Sequence, residues 1–389
     1  MSGISFDKIK FYVKDYFRRA DIVLLAMITI LATFSVYMVY KAALGMSAAG
    51  VDISPTKIMI VQIFSIFLGI AAYVVFTIID SDIHGSQWKL LCIINIGLLV
   101  ALVVFGEEGD TGAKSWIRFA GIGIQPSEVI KVFYIIISAK QMTYLKEHQN
   151  INAFWPVVQM AGHFAIVFAL IVFVSDDLGS AMIIVFIFLM MFFALGVKVY
   201  WFILGGAAVA AVVPLLWTYF LKDYQKKRLI APYAQELVDP SGYGISWQTN
   251  QSKLTLASGR LTGVDADHTL TSFTGKHTDF IFATVGEQTG MIGCLLVILM
   301  LTIIIVHCTR VGLKSGRIFD MLVCVGVAAA ITFQTFINMG MCIGITPVIG
   351  ITLPFMSYGG SSMVTLYSAM GLVSGVKYKP KPQQFTMLY

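Results

Sequence analysis

His277-Thr278-Asp279-Phe280-Ile281-Phe282 closes a long polar stretch and opens an apolar one that runs on to Cys308. A carboxylate therefore stands where the chain re-enters hydrocarbon. Ionisable groups at such depth are costly and mark functional sites by default. On both sides of the polar stretch almost everything reads as membrane-spanning helix. Chemistry is expected at a membrane surface, on a molecule that itself lives in the membrane.

Composition supports this. The chain of 389 residues is 58% hydrophobic and 12% charged, with mean hydropathy +0.82. Soluble domains are about half apolar and about a quarter charged, so the class is polytopic membrane protein. The formal charge of +6 does not indicate nucleic acid, because the basic residues flank apolar runs instead of forming one face. Cys92, Cys294, Cys308, Cys324 and Cys342 all lie in or beside apolar runs without CxxC spacing. They read as small buried hydrophobes, with no disulfide framework.

A helix needs about 17–25 apolar residues to span the hydrocarbon. Spans are expected near 21–40, 58–79, 89–105, 127–145, 156–174, 178–196, 199–220, 280–308, 318–345 and 356–376. The fold class is all-α and polytopic, with about ten spans and a large extracytoplasmic loop, 221–279, between the seventh and eighth. Residues 1–20, with Lys8, Lys10, Lys14, Arg18 and Arg19, read as a cytoplasmic tail before an uncleaved first span. Residues 21–376 form the membrane domain and 377–389 a second cytoplasmic tail. Lysine and arginine concentrate in the loops on the side of the termini, which places both termini in the cytoplasm of a multi-pass plasma-membrane protein.

The loop 221–279 is too long for a simple connection. It has a charged start at Lys222-Asp223-Tyr224-Gln225-Lys226-Lys227-Arg228 and turn residues at Asp239-Pro240-Ser241-Gly242. Trp247, Gln248, Gln251 and Ser252 follow, then Gly259 and Gly263. This mixture suggests an ordered cap over a cleft.

Several constellations could carry chemistry. Glu128 and Lys131, three apart after Gln125-Pro126-Ser127, share a helix face within pairing reach. They form either a structural ion pair or the lining of a wet cavity. Asp176 and Asp177 precede Leu178-Gly179-Ser180, where an acid caps a helix or faces an outer cleft. Lys114, Trp116 and Arg118 form either an interfacial anchor or a cationic phosphate site. Asn338, Gly340, Gly344, Pro347, Gly350 and Pro354 break the ninth span, followed by Ser357-Tyr358-Gly359-Gly360-Ser361-Ser362. Such backbone is tolerated at depth only where protein or a watery cavity satisfies it. The run either packs closely or cradles phosphate. Asp279 is the strongest candidate base. Asp267, His268 and His277 are the nearby titratable groups, and His277, two residues before Asp279, gives no ground for a His–Asp dyad. Glu287 reads as structural. Serine-hydrolase and HExxH patterns are absent.

Taken together, these blocks resemble the shape, elongation, division and sporulation family of RodA, FtsW and SpoVE. The matching segments are Gly112-Ala113-Lys114-Ser115-Trp116-Ile117, Gln125-Pro126-Ser127-Glu128 with Lys131, and Asp177-Leu178-Gly179-Ser180. They continue with Trp247-Gln248, Gln251-Ser252, His277-Thr278-Asp279-Phe280-Ile281-Phe282-Ala283, Asn338-Met339-Gly340-Met341, and Leu353-Pro354-Phe355-Met356 running into Ser357–Ser362. The resemblance implies a ten-span peptidoglycan glycosyltransferase that polymerises lipid II into a nascent glycan strand beside a class B penicillin-binding protein. The family's essential loop aspartate falls on Asp279, its buried Glu and Lys on Glu128 and Lys131, and its Asp-Leu-Gly aspartate on Asp177.

There are departures. Ser115 stands where the family has Arg, Asp176 where it has Pro, and Phe273-Thr274-Gly275 where it has Leu-Pro-Glu. Ala257-Ser258-Gly259-Arg260 replaces a Gly-Ser-Gly-Gly run. The stretch 223–228 is similar to the elongation branch.

The expected substrate-contacting set is Lys114, Trp116, Arg118, Glu128, Lys131, Asp177, Arg228, Gln251, Ser357, Gly359, Gly360 and Ser361, around Asp279 on the outer face. Arg260 is a further cation on that side. A divalent cation, Mg or Mn, could share the pyrophosphate charge, although the sequence shows no closed ligand set. The rival readings are a lipid II flippase or other transporter, and a non-catalytic scaffold for the penicillin-binding protein.

Overall fold

The computed structural model describes residues 16–18, 20–107, 115–119, 122–265 and 272–378. In hydrocarbon every backbone group must be satisfied within the chain, so the long apolar runs fold as helices. They are α1 (Ile22–Ala48), α2 (Pro55–Ile78), a short α3 (Ser81–Ser86), α4 (Trp88–Phe105), α5 (Pro126–His148), α6 (Phe154–Ser175), α7 (Leu178–Leu195) and α8 (Val199–Leu215). The loop contributes α9 (Asp223–Ile230), α10 (Gln235–Val238) and α11 (Trp247–Ser258). Then come α12 (Ile281–Lys314), α13 (Ile318–Ile343) and α14 (Gly360–Tyr378).

Among the described residues, eight helices are long and apolar enough to cross a membrane: α1, α2, α4, α6, α7, α12, α13, and α8 with its continuation to Tyr219. The other two expected spans coincide with α5 and α14. The first carries Glu128, Lys131, Lys146 and His148, and the second opens on Gly360-Ser361-Ser362. Helix ends differ from the expected ones chiefly at α1, which runs past residue 40 to Ala48.

Small residues set the helix contacts, as expected where water does not drive helices together. A Cβ at Gly69 of α2 would lie 2.9 Å from the Tyr367 ring of α14, and one at Gly371 would lie 2.7 Å from the Tyr73 carbonyl oxygen. Helix α13 packs against α12, α7 and α5 and forms the centre of the bundle. By contrast, no residue of α8 is buried. At the end opposite the loop, buried Asp21 caps α1 and meets His307 Nε2 at 2.6 Å and Lys377 Nζ at 3.3 Å.

The described part of the long loop folds into α9–α11 and docks on α12. Gly290 has φ 63° and ψ −161°, which interrupts that helix in its third turn. Residues 259–263 fill the break. Met291 N–H donates to the Arg260 carbonyl at 2.9 Å, Ile292 N–H to Leu261 at 3.2 Å, and Val264 N–H to Glu287 at 2.9 Å. A Cβ at Gly290 would collide with the Leu261 backbone. The kink thus has an identifiable cause, and the loop satisfies the backbone that it frees.

A small antiparallel sheet lies between α4 and α5, an element the helical reading did not contain. Strand β1 (Gly106–Glu107) pairs with β2 (Trp116–Phe119), which pairs with β3 (Ile122–Ile124). Arg118 sits opposite Gly123 in that register.

Candidate active site

Asp279 sits in a tight turn just before α12. Gly275, at φ +81°, lets Thr278 and Phe280 N–H groups fold back on its carbonyl at 3.1 and 3.0 Å. The broken segment after α13 then grips the turn. Asn338 Nδ2 donates to the Asp279 carbonyl at 2.7 Å and to the Ile351 carbonyl at 2.7 Å. Ser357 Oγ donates to the Thr278 carbonyl at 2.6 Å and accepts from Leu353 N–H at 2.8 Å. Tyr358 N–H donates to the His277 carbonyl at 3.0 Å. With its backbone fixed in this way, Asp279 points its carboxylate towards Gly350, where a Cβ would lie 3.7 Å from Oδ2. Burial pushes this carboxyl up to about 6, against the pull of the Arg228 guanidinium and with help from the Asp177 carboxylate.

Asp177 is the second acid of the site. Its Oδ1 accepts from Ser180 N–H at 2.8 Å, capping α7. Its Oδ2 accepts from Gln125 Nε2 at 2.9 Å and Ser127 Oγ at 2.8 Å, which ties α7 to the start of α5. Gln125 N–H in turn donates to Ser361 Oγ at 3.3 Å, at the start of α14. Deeper on α5, Lys131 Nζ donates to Glu128 Oε1 at 2.7 Å, and both residues are buried. A second buried pair adjoins the Asp279 turn. Lys276 Nζ donates to Glu287 Oε2 at 2.6 Å, with both side chains fully buried. Burial pulls the Lys276 ammonium below its ordinary value, and Glu287 opposes that.

A family model described as "Cell cycle protein", for FtsW, RodA and SpoVE, matches residues 21–381. The chain belongs to the FtsW/RodA/SpoVE family. It is 28% identical over 379 residues to a probable peptidoglycan glycosyltransferase FtsW of Bacillus subtilis, covering 94% of this chain and 92% of that one. It is 30% identical over 359 residues to the peptidoglycan glycosyltransferase MrdB of Escherichia coli, covering 90% and 92%. With the stage V sporulation protein E of B. subtilis the identity is 32%, covering 92% and 96%. The fold resembles a chain of a peptidoglycan synthase complex that coordinates polymerization and crosslinking, with TM-score 0.77, 24% identity and 92% and 97% coverage. It also resembles the rod shape determining protein RodA of Thermus thermophilus, with TM-score 0.66, 22% identity and 92% and 96% coverage.

In this FtsW/RodA/SpoVE chain the residues singled out by sequence fall into groups. Ser357 holds the Asp279 turn, Asp177 and Ser361 meet through Gln125, and Asp177 acts on the Asp279 carboxyl through its charge. Arg228, on α9, faces them from the loop through its field on Asp279. Glu128 and Lys131 form a closed pair. Gln251 lies half-buried on α11, and its carbonyl accepts from Thr255 Oγ1 at 2.7 Å. Gly359 precedes α14 and Gly360 begins it; a Cβ at Gly360 would come 3.2 Å from Ser65 Oγ, so close packing against α2 accounts for that glycine. Trp116 and Arg118 stand on β2, with the Trp116 ring over Gly123. Lys114, Asp267 and His268 lie outside the described residues. The His277 ring sits beside Tyr358, 5.5 Å between centroids, and burial pushes it down to about 4. Among the described residues no three His, Cys, Asp or Glu side chains come together around a common point.

Two functional contacts escaped the sequence reading. The Lys276–Glu287 pair spans a turn and a helix, so no local spacing announces it. Asn338 reads in the sequence as a helix interruption, but its role as the anchor of the Asp279 backbone depends on a partner far along the chain.

Proposed function

We propose that this protein is a peptidoglycan glycosyltransferase that polymerises lipid II on the outer face of the plasma membrane, in the company of a class B penicillin-binding protein. The observation that carries the proposal is Asp279: a carboxylate fixed by its backbone, half-buried at the rim of the bundle, with a cation and a second acid around it. In the proposed reaction its Oδ takes the proton from the 4-hydroxyl of the acceptor sugar. The freed oxygen attacks the anomeric carbon of the donor strand with inversion. The bond from that carbon to the pyrophosphate oxygen breaks, and its electron pair leaves with the lipid pyrophosphate. A positioned base contributes about 10²–10⁴-fold.

Arg228 is the described cation nearest this chemistry by its effect on Asp279, and Arg118 and Arg260 are further candidates on the same side. Asp177 acts as a positioning residue, since it binds Gln125, Ser127 and Ser180. Both termini lie in the cytoplasm in this reading, and α5 and α14 complete a set of ten spans.

The test is polymerisation of lipid II by the purified protein in detergent, without an ion gradient, with and without the penicillin-binding partner and a chelator. Glycan polymer is expected. Gradient-dependent movement of lipid II across vesicles with no polymer formed would favour a transporter instead.

A further inference from the structure

Helix α2 carries none of the residues proposed for chemistry, yet one of its side chains reaches the segment that holds Asp279. Gln62 is fully buried, and its Nε2 donates to Ser35 Oγ of α1 at 3.0 Å and to the Ser357 carbonyl at 3.3 Å. Its neighbours fix the direction of the amide. The Ser357 carbonyl can only accept, and the Ser35 hydroxyl already donates to the Ala32 carbonyl at 2.6 Å, so the –NH2 end faces both. The acceptor end, Oε1, is buried with no hydrogen-bond partner among the described residues. An unpaired polar atom away from water is costly, and a methionine of similar shape would fill the same space without that cost. Packing does not explain glutamine here; the bond that its Nε2 donates does.

That bond lands on the peptide unit that supports the base. Residues 357 and 358 share one planar trans peptide, whose carbonyl and N–H point to opposite sides. The carbonyl faces Gln62. The N–H, that of Tyr358, donates to the His277 carbonyl at 3.0 Å. Ser357 Oγ donates to the Thr278 carbonyl at 2.6 Å. The two successive carbonyls before Asp279 are thus held by residues 357 and 358, and Gln62 holds that peptide from the opposite side. Asn338 secures the next carbonyl, that of Asp279, from α13. Gln62 itself has a firm seat. Further along the same helix Ser65 lies against Gly360 and Gly69 admits the Tyr367 ring, so α2 is packed closely on α14. A support built on a helix is more precise than one built on a loop.

We propose that Gln62 is a positioning residue for glycosyl transfer: through the Ser357–Tyr358 peptide it sets where the Asp279 carboxylate stands. The inference rests on Asp279 being the base. It gives α2, whose one charged residue is Lys57 at its outer start, a part in the chemistry that no motif announces. Geometry has leverage over rate, because a misplacement of about 1 Å can cost about 10²-fold. Gln62 supplies one of several bonds around the turn, so the loss on removing it is smaller, about tenfold.

Two substitutions separate this role from a structural one. Gln62→Met keeps the side-chain shape and removes the donor. Ser35→Ala breaks the tie between α1 and α2 and leaves the bond to Ser357 in place. Each protein is purified full-length in detergent, checked by sizing chromatography and thermal unfolding, and assayed for polymerisation over a range of lipid II concentrations. Gln62→Met is expected to lose about tenfold in kcat with KM within about twofold of wild type, because the bond acts on the base and not on substrate binding. Ser35→Ala is expected to stay within about threefold, the size of an average interhelical hydrogen bond in a membrane. Gln62→Asn, which keeps the amide but withdraws it by one methylene, is the second variant and is expected to fall as Gln62→Met does. Wild-type kcat in folded Gln62→Met or Gln62→Asn overturns the proposal. So does a loss that lies wholly in KM, or one that Ser35→Ala reproduces in full.

Hydrogen exchange followed by mass spectrometry adds a readout that needs no activity. Peptides covering 272–280 and 353–360 are expected to exchange faster in Gln62→Met than in wild type or Ser35→Ala. That result, with no glycan made by wild type, keeps Gln62 as the support of the Asp279 turn and removes the glycosyltransferase reading. Glycan from wild type, with exchange and kcat both unchanged in Gln62→Met, does the reverse.

Discussion

Replacing Lys276 by methionine takes from the buried acid Glu287 the ammonium it pairs with. Both side chains of this pair are fully buried, and they meet at 2.6 Å. Attraction between them offsets the cost of taking each charge out of water, and that offset is lost when one partner goes. Breaking such a pair costs about 3–5 kcal/mol. That is a large share of a total stability of about 5–15 kcal/mol. Removing both charges behaves differently, since a neutral pair of similar volume is often tolerated. Lys276→Met is therefore expected to lose about 3–5 kcal/mol, and Lys276→Met with Glu287→Gln to recover at least half of it. Denaturant titration of the protein in detergent, followed by tryptophan fluorescence, measures each corner of the cycle. Activity should follow stability, because Lys276 lies three residues before Asp279 in the same turn. A single Lys276→Met variant within about 0.5 kcal/mol of wild type would refute the reasoning, since that is the range of unremarkable surface substitutions.

Other predictions concern the base and the loop. Polymerisation should rise with pH through an acid limb near 6, where Asp279 becomes a carboxylate. Arg228 opposes that upward shift, so Arg228→Gln should move the limb to higher pH, and a limb that stays fixed would contradict the assignment. Asp177 adds to the shift, so Asp177→Asn should move the limb down while keeping the cap on α7, because asparagine caps as well as aspartate. Gly290→Ala places a Cβ against Leu261 at φ 63° and should cost about 1–3 kcal/mol in the same denaturant assay.

Much of the architecture was legible because hydrocarbon imposes a simple rule. Each long apolar run had to close its own hydrogen bonds, and each proposed span coincides with a helix. What sequence could not supply was how distant segments meet. The run 280–308 is continuously apolar, yet Gly290 interrupts it because residues 259–263 dock there. Trp116–Phe119 folds as a strand because β1 and β3 flank it. At the site, the Asp-Leu-Gly and Gln-Pro-Ser-Glu motifs were readable separately. That Asp177 joins them through Gln125 and Ser127 required the fold. The helix-cap reading of Asp177 and the ion-pair reading of Glu128 and Lys131 both describe what these residues do locally. Lys276 carries no signal in the sequence, since its significance lies in its burial against Glu287.

The most direct measurement compares wild type with Asp279→Asn in the purified lipid II polymerisation assay at pH 8. Asparagine nearly matches the shape of aspartate and removes a charge that burial disfavours. The Asp279 carboxyl stands at about 6 in the folded protein against a reference value of 3.8. The folded state therefore holds this proton more tightly, and the stability so gained is present at low pH and lost as pH rises through 6. At pH 8 the variant should be at least as stable as wild type and yet polymerise about 10²–10⁴-fold more slowly. A stable Asp279→Asn protein that makes glycan at the wild-type rate would show that this carboxylate is not the base.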